Sequence, residues 1–481
     1  MILKQLLQDI PVREVIGETG IEIADIAFDS RLVHAGTLFV AQPGTVVDGH
    51  DFIEKAIAQG AVAIVCERLI SEGAPKVTHI LVDSSSYTLG LLASAWNGFP
   101  SRHLTLVGVT GTNGKTTIAT LLYEMTRAMG HKAGLLSTVV NYVNGEEVAA
   151  THTTPDALEL NGLLKKMVDA GCEYAFMEVS SHAIAQHRIA GLDFDGALFT
   201  NLTRDHIDFH KTFDNYRDTK KQLFDHLKKS AFAVTNKDDK NGLVMTQNCK
   251  ADVKTYSVRS LADFKAQILE EGFDGMLLQI NGQEVFVHLV GRFNVSNLLC
   301  IYGAATCLGF EPMEVLRVLS ALPAVKGRFE AIHSPKGWTA IIDYAHTPDA
   351  VENVLNTINE IRKEGSKVIT VVGCGGNRDK GKRPMMASIA KKNSTQLILT
   401  SDNPRDEEPK DILNDMIAGL SEEEKKQTLV IEDRETAIKT ACMLAAKDDV
   451  ILVAGKGHED YQIIKGVKHH FDDHEIVKSN L

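Results

Sequence analysis

Paired cysteines, long apolar runs and an excess of positive charge are all missing from this chain. Its seven cysteines, Cys66, Cys172, Cys249, Cys300, Cys307, Cys374 and Cys442, are scattered with neither CxxC nor zinc-type spacing. That argues against a disulfide framework or a cysteine-built metal centre, and buried free thiols are the expectation. No apolar run approaches the length of a membrane span, and the opening MILKQLLQDIPVREV lacks the cationic region and cleavage site of a signal peptide. A cytoplasmic protein with no membrane insertion is expected. With 51 Lys and Arg against 63 Asp and Glu the formal charge is −12, which opposes a general nucleic-acid partner. Any anionic ligand must then be held by a local cluster of Lys, Arg and helix ends. Tandem repeats and low-complexity tracts are absent too. What is there, 481 residues at 44% apolar and 24% charged, suffices for three globular domains.

Residues 104–117, LTLVGVTGTNGKTT, carry the strongest signal. Leu104 to Val109 read as a buried strand that breaks into glycines. A helix then starts near Thr116, with Ile118, Leu121, Leu122, Met125 and Met129 on one face and Gly130 as its stop. Glycines at 108, 111 and 114 let backbone amides turn inward, so Gly111, Thr112, Asn113, Gly114, Lys115, Thr116 and Thr117 are expected to form a cradle for a polyphosphate. Lys115 can reach the β- and γ-phosphates, and the Thr116 hydroxyl can hold Mg²⁺. The competing account is a glycine-rich turn with a surface lysine. The usual Gly-x-x-x-x-Gly-Lys pattern needs glycine at 109, where Val109 stands. The shift of that glycine to 111 points to a subset of P-loops.

Along the chain, TLFVA (37–41), AVAIVCE (61–67) and HILVDSS (79–85) alternate with helical patterns up to the connector NGFPSRH (97–103). After the P-loop come buried strands at YAFMEVSS (174–181) and GALFTNLT (196–203), in outline a doubly wound parallel sheet. Period-two alternation between 252 and 290 predicts a β-rich insert packed on that sheet, and a helix over 295–308 follows. Beyond Pro323 the βα rhythm restarts with strands near 339, 367, 396, 428 and 449, a second, Rossmann-like sheet. The expected fold is α/β in three domains: 1–100, small and α/β; 101–323, the central P-loop sheet with its insert; and 324–481, Rossmann-like.

Glu178 ends one strand, and the next runs into TRDHIDFH (203–210), which places a carboxylate and an imidazole beside the P-loop. Thr116, Glu178 and His206 are thus candidate Mg²⁺ ligands together with phosphate oxygens. The Asp205-His206-x-Asp208-x-His210 run alone also allows a hydrolase-type transition-metal site or a solvated loop. On the helix TFDNYRDTKKQLF (212–224), Tyr216, Lys220 and Phe224 recur at i, i+4; exposure statistics make Lys220 a surface lysine.

Together GVTGTNGKTT, the TTP at 153–155, MEVSSHAIAQHR (177–188), TNLTRDH (200–206) and YRDTKKQLF (216–224) resemble the Mur ligases of peptidoglycan synthesis. DSR (29–31), DGHDF (48–52), GRFE (327–330), DYAHTPD (343–349), GCGGNRDKGKRP (373–384), SDNPR (401–405) and GKGHEDYQ (455–462) extend the resemblance over essentially the whole chain.

The resemblance implies an ATP-dependent amide ligase with the three domains binding a UDP-substrate, ATP and an amino acid in turn. Lys115, Lys220 and His206 would be its catalytic residues, with Lys220 carried as a carbamate. Ser30, Gln42, Thr153, Thr154, Ser180, Gln186 and Arg188 would contact UDP-N-acetylmuramoyl-L-alanyl-D-glutamate, and Asn294, Asn297, Arg328 and Asp343 the nucleotide. A helix cap and a solvated polar face are the competing accounts for Ser180 and Gln186, and a cap for Asn294. Arg378, Asp402, Asn403, Pro404, Arg405, Gly455 and Glu459 would hold the incoming amino acid, with acidic groups such as Glu459 on its ammonium. For Arg378 an ion pair with Asp379 competes. Relatives carrying DNPR add meso-diaminopimelate, and lysine-adding relatives lack the arginine. The chemistry agrees, since a guanidinium can grip the second carboxylate of diaminopimelate in two charge-assisted bonds but repels the lone ammonium of lysine. A lysine-adding ligase and, more remotely, a folylpolyglutamate-type synthetase are the alternatives. The implied partners are these small molecules and Mg²⁺, acting on a monomer.

Overall fold

The computed structural model describes residues 1–44, 47–69, 77–150 and 152–481. The chain separates into two compact units, one of residues 1–110, 130–197 and 222–231, the other of residues 111–129, 198–221 and 232–481.

The first unit opens with a five-stranded sheet in the order Glu14–Ile16, Thr78–Leu81, Ala63–Cys66, Thr37–Val40, Asp25–Ala27. All neighbours are parallel except the first pair. Its central strands are buried on both faces, as parallel strands between helices must be. Leu38, Val40 and Val65 face helix Ser85–Trp96, while Phe39, Ile64 and Cys66 face helix Ile53–Ala58. The same unit holds Thr105–Thr110, Tyr174–Glu178 and Ala133–Leu136, paired in parallel in that order, with Asn141–Val143 and Glu146–Val148 added antiparallel.

In the second unit Phe232–Asn236, Asp252–Ser257 and Phe264–Gly272 pair in parallel, and Gly275–Ile280 and Gln283–Val287 continue the ladder antiparallel. The β-rich insert therefore lengthens the sheet edge to edge and does not pack on its face. Helix Arg292–Cys307, buried along most of its length, matches the expected 295–308.

The last sheet runs Glu330–His333, Thr339–Asp343, Val450–Ala454, Val368–Val372, Gln396–Leu399, Thr428–Val430, with only the first strand antiparallel. Helix Pro348–Ile361 shows how sequence sets these elements. Thr347 accepts from the Ala350 amide as N-cap, Pro348 sits at the first turn, and Val351, Val354, Leu355 and Ile358 bury one stripe. At about 1.5–3 kcal/mol for each large apolar side chain buried, that stripe docks the helix on the sheet. Helices Lys382–Asn393 and Pro409–Ile417 share its face, while Arg434–Leu444 and Asp473–Lys478 cover the other. Chain order reverses between Val368–Val372 and Val450–Ala454, the place where open α/β sheets form a crevice beyond the strand ends. A hairpin, Tyr461–Ile464 with Val467–His470, completes the unit. The seven cysteines are free, with Cys249 and Cys307 half-buried and the other five buried.

Candidate active site

Thr105–Thr110 ends one residue beyond Val109, which lies fully inside the strand, so the glycine turn begins at 111. Helix Lys115–Ala128 starts directly from Gly114, whose φ of +88° suits glycine. A Cβ there would come within 2.5 Å of Asn297 Oδ1. The TNLT segment clamps this turn. The Asn113 amide donates to Asn201 Oδ1 (2.9 Å), Thr200 Oγ1 donates to the Asn113 carbonyl (2.6 Å), and Thr112 Oγ1 donates to the Thr203 carbonyl (3.2 Å). Sequence reasoning assigned no role to Thr200, Asn201 or Thr203; their place just after a buried strand was the available signal.

Two lysines converge on one carbonyl: Lys115 Nζ lies 3.0 Å and Lys220 Nζ 2.8 Å from the Gly111 oxygen. Lys115 also donates to the Thr112 carbonyl at 2.7 Å. Lys220 is 1% exposed, against the surface expectation, and stands 4.8 Å from the centre of the buried Tyr216 ring. Burial and then the neighbouring Lys115 push its ammonium well below the usual lysine range, with Asp205 opposing. The result is an amine less basic than a surface lysine beside the glycine turn.

A cavity of about 530 Å³ opens in the same unit, lined among others by Asn113, Gly114, Thr117, Asn294, Asn297, Arg328 and Asp343. The structure thus gathers most of the ATP candidates, while Gly111, Thr112, Lys115 and Thr116 do not line the cavity wall. Asn294 is no helix cap; its Nδ2 donates to the Val290 carbonyl, and its Oδ1 accepts from Asn297 Nδ2. Arg328 donates through Nη2 to Thr116 Oγ1 at 2.9 Å and lies 4.5 Å over the Tyr344 ring; its buried Nε has no partner among the described residues. Asp343 accepts from the Phe329 and Ala345 amides, and burial raises its carboxyl against the pull of Arg328. His346 lines the cavity unforeseen, its pKa lowered to about 4 by burial and by Lys382.

In the first unit one hydrogen-bonded network joins six candidates. Thr154 Oγ1 donates to the Glu178 carbonyl (2.8 Å) and accepts from the Ser180 amide (3.1 Å). Thr138 donates through its amide to Glu178 Oε1 (2.8 Å) and through its hydroxyl to Thr153 (3.1 Å). Arg188 donates to the Thr154 carbonyl and to Gln186 Oε1. Ser180 also caps helix Ser181–Ala185. Ser30 opens the short 3-10 helix Ser30–Leu32 and Gln42 lies just beyond strand Thr37–Val40, with no hydrogen bond to this network among the described residues.

The metal candidates divide, Glu178 in the first unit and Thr116 and His206 in the second. His206 has φ +54° and an ion pair with Asp205 at 3.4 Å. Among the described residues no three His, Cys, Asp or Glu side chains gather as a metal site. Glu178 and Thr116 each offer, within their own unit, the kind of oxygen donor that Mg²⁺ takes; Glu178 is 1% exposed, its Oε1 accepts from the Thr138 amide, and no cationic side chain pairs with it among the described residues.

At the switch point the amino-acid candidates meet. Asp402, Asn403 and Pro404 are buried; Asn403 Nδ2 donates to Glu459 Oε2 at 2.7 Å. Gly455, at φ +115°, leaves room for Asp402, whose Oδ2 would lie 2.6 Å from a Cβ there. Arg405 is half-buried with φ +53°, pinned by two backbone hydrogen bonds to the hairpin, and its Nη1 donates to the Gly376 carbonyl at 2.8 Å. Arg378 is exposed, without the ion pair to Asp379 among the described residues. Glu459 Oε2 takes bonds from Asn403 and Lys456.

Family models describe residues 22–96 as "Mur ligase family, catalytic domain", 109–305 as "Mur ligase middle domain" and 327–457 as "Mur ligase, glutamate ligase domain". A Parabacteroides distasonis protein named UDP-N-acetylmuramoyl-L-alanyl-D-glutamate--2,6-diaminopimelate ligase is 62% identical over 478 residues, spanning 99% of this chain and 98% of its own. The chain belongs to the Mur ligase family. A solved structure of a ligase of that same name is 31% identical with TM-score 0.70, covering 100% of this chain and 98% of its own. The folylpolyglutamate synthase of Mycobacterium tuberculosis, complexed with ADP and AMPPCP, matches with TM-score 0.62 at 16% identity over 77% of this Mur ligase and 93% of its own chain. That likeness is one of fold.

Proposed function

We propose that this Mur ligase is an ATP-dependent enzyme joining meso-diaminopimelate to UDP-N-acetylmuramoyl-L-alanyl-D-glutamate through an acyl phosphate. Arg405 carries the reading. A guanidinium held at the switch point beside Asp402, Asn403 and Glu459 offers a carboxylate-binding fork, in a chain 62% identical to a ligase named for 2,6-diaminopimelate.

A carboxylate oxygen of the UDP-substrate bonds to the γ-phosphorus as the bridging bond to the β-phosphate breaks and ADP leaves. An amine of diaminopimelate then bonds to the acyl carbon and loses a proton while the C–O bond to phosphate breaks. Charge spreads over the γ-phosphoryl oxygens in the first step, and the turn amides at 111–117 with Lys115 stabilise it. Asn294, Arg328 and Asp343 would hold the nucleotide within the cavity. Thr153, Thr154, Ser180, Gln186 and Arg188, with Ser30 and Gln42, would orient the UDP-substrate. Lys220, buried with a depressed pKa, suits addition to CO₂: the neutral amine bonds to carbon, a proton leaves, and the product is a carbamate. Mg²⁺ held by Thr116, Glu178 and His206 would neutralise phosphate charge. The three regions 1–100, 101–323 and 324–481 would then bind UDP-substrate, ATP and amino acid, in a cytoplasmic monomer; no described helix is long and apolar enough to cross a membrane.

Omitting substrates one at a time from a phosphate-release assay tests this. Phosphate should appear only when ATP, the UDP-dipeptide and diaminopimelate are all present. Equal release with lysine in place of diaminopimelate would favour the lysine-adding alternative, and release without an amino acid would indicate an ATPase.

A further inference from the structure

We infer that Lys456 is a specificity-determining residue, whose buried ammonium neutralises Asp402 and Glu459 so that the pocket accepts a substrate end bearing both ammonium and carboxylate and refuses one bearing an ammonium alone. The inference rests on the reading of the chain as a diaminopimelate ligase. Lysine is seldom fully buried without a reason, and Lys456 is 0% exposed. Its Nζ lies 3.2 Å from Glu459 Oε2, 3.3 Å from Asn403 Oδ1 and 3.9 Å from Asp402 Oδ1. Stability alone is a poor account, because ions buried together gain little over apolar side chains of the same volume.

Charge supplies the better account. Burial by itself would raise the Asp402 carboxyl, but Lys456, Arg434, the hydrogen bond from the Asn403 amide and Arg405 together outweigh it and hold it low. Glu459 is pushed up by burial and by Asp402, with Lys456 opposing. Arg434 is closed off by Asp473, with bonds of 2.8 and 2.7 Å, and both are fully buried. That leaves two carboxylates, Asp402 and Glu459, facing two cations, Lys456 and Arg405, a balanced set. The far end of diaminopimelate is likewise balanced, its carboxylate for Arg405 and its ammonium for the acids. Lysine brings an extra positive charge and nothing for Arg405. Without Lys456 the set becomes net negative, and a lone ammonium is what it would draw in. Asn403 couples the parts, since its Oδ1 accepts from Lys456 and from the Ile463 amide while its Nδ2 holds Glu459.

The test compares kcat/KM for lysine and diaminopimelate at pH 8.5 in wild type, Lys456→Met and Lys456→Arg, with thermal melting of each. Lys456→Met should raise the lysine-to-diaminopimelate ratio about tenfold or more, the size of one charge-assisted bond, while Lys456→Arg keeps it near wild type. Removing a carboxylate as well, in Lys456→Met/Glu459→Gln, should bring the ratio back down. Should Lys456→Met not fold, Lys456→Gln, which retains a donor for Asn403 and Glu459, takes its place. Folded neutral variants whose ratio stays within twofold of wild type would overturn the inference. A wild type that releases no phosphate with diaminopimelate would instead sink the underlying reading.

Discussion

Replacing Arg405 separates what the side chain does for specificity from what its backbone costs. The residue sits at φ +53°, a left-handed conformation that costs a non-glycine residue about 1–2 kcal/mol. It is held there by its own amide donating to the Ile463 carbonyl (3.0 Å) and its carbonyl accepting from Lys465 (2.6 Å). Arg405→Ala keeps the strain and removes the guanidinium. Losing a charge-assisted bond of about 1.5–3 kcal/mol should lower kcat/KM for diaminopimelate roughly 10- to 150-fold, with the KM for ATP unmoved. Arg405→Gly removes the same guanidinium and also relieves the strain, against about 0.5–1 kcal/mol of extra chain entropy. The glycine variant should therefore be more stable than the alanine variant by roughly 0.5–1 kcal/mol, read from urea unfolding midpoints, while the two lose diaminopimelate activity equally. Steady-state kinetics with both amino acids, beside urea curves, gives both numbers. If Arg405→Ala left the preference for diaminopimelate intact, or if the two variants differed in activity as they differ in stability, the separation of roles would be wrong.

Further expectations follow from the same geometry. Gly114→Ala places a methyl 2.5 Å from Asn297 Oδ1 at φ +88° and should weaken ATP binding at least tenfold by calorimetry, with far-ultraviolet circular dichroism unchanged. Lys220→Ala should abolish turnover, and wild type freed of CO₂ should lose activity that bicarbonate restores; indifference to CO₂ would remove the carbamate from the account. Glu407 pairs with the fully buried Arg383, and that hydrogen bond brings its pKa down from 4.5 to about 2. A depressed carboxyl stabilises the fold above the unfolded value, so this contribution is whole above pH 4.5 and is lost as pH falls toward 2. Glu407→Gln should accordingly flatten the acid limb of stability measured by urea unfolding from pH 5 downward.

Much of the site was legible before any fold was known, because it is built from local patterns. A buried strand, a glycine turn and Lys-Thr opening a helix lie within fourteen residues, 104–117. Arg405 was placed at a strand end by the Asn-Pro turn that follows Gln396–Leu399. The β-rich insert shows where this stops: alternation over 252–290 identifies strands, but whether they extend a sheet or cover it depends on which edge they meet, and no local period encodes that.

The sequence by itself determined the glycine turn between a buried strand and a helix, the repeated βα order and the residue types available at each strand end, since these depend on residues adjacent in the chain. Tertiary structure alone decided which of the long cations lie inside. Lys220 and Lys456 resemble any surface lysine in sequence, and both are buried because segments far apart in the chain close around them. Burial sets how strongly a charge is felt, so that same closure turns one lysine into a weakly basic amine and gives the other its place between Asp402 and Glu459.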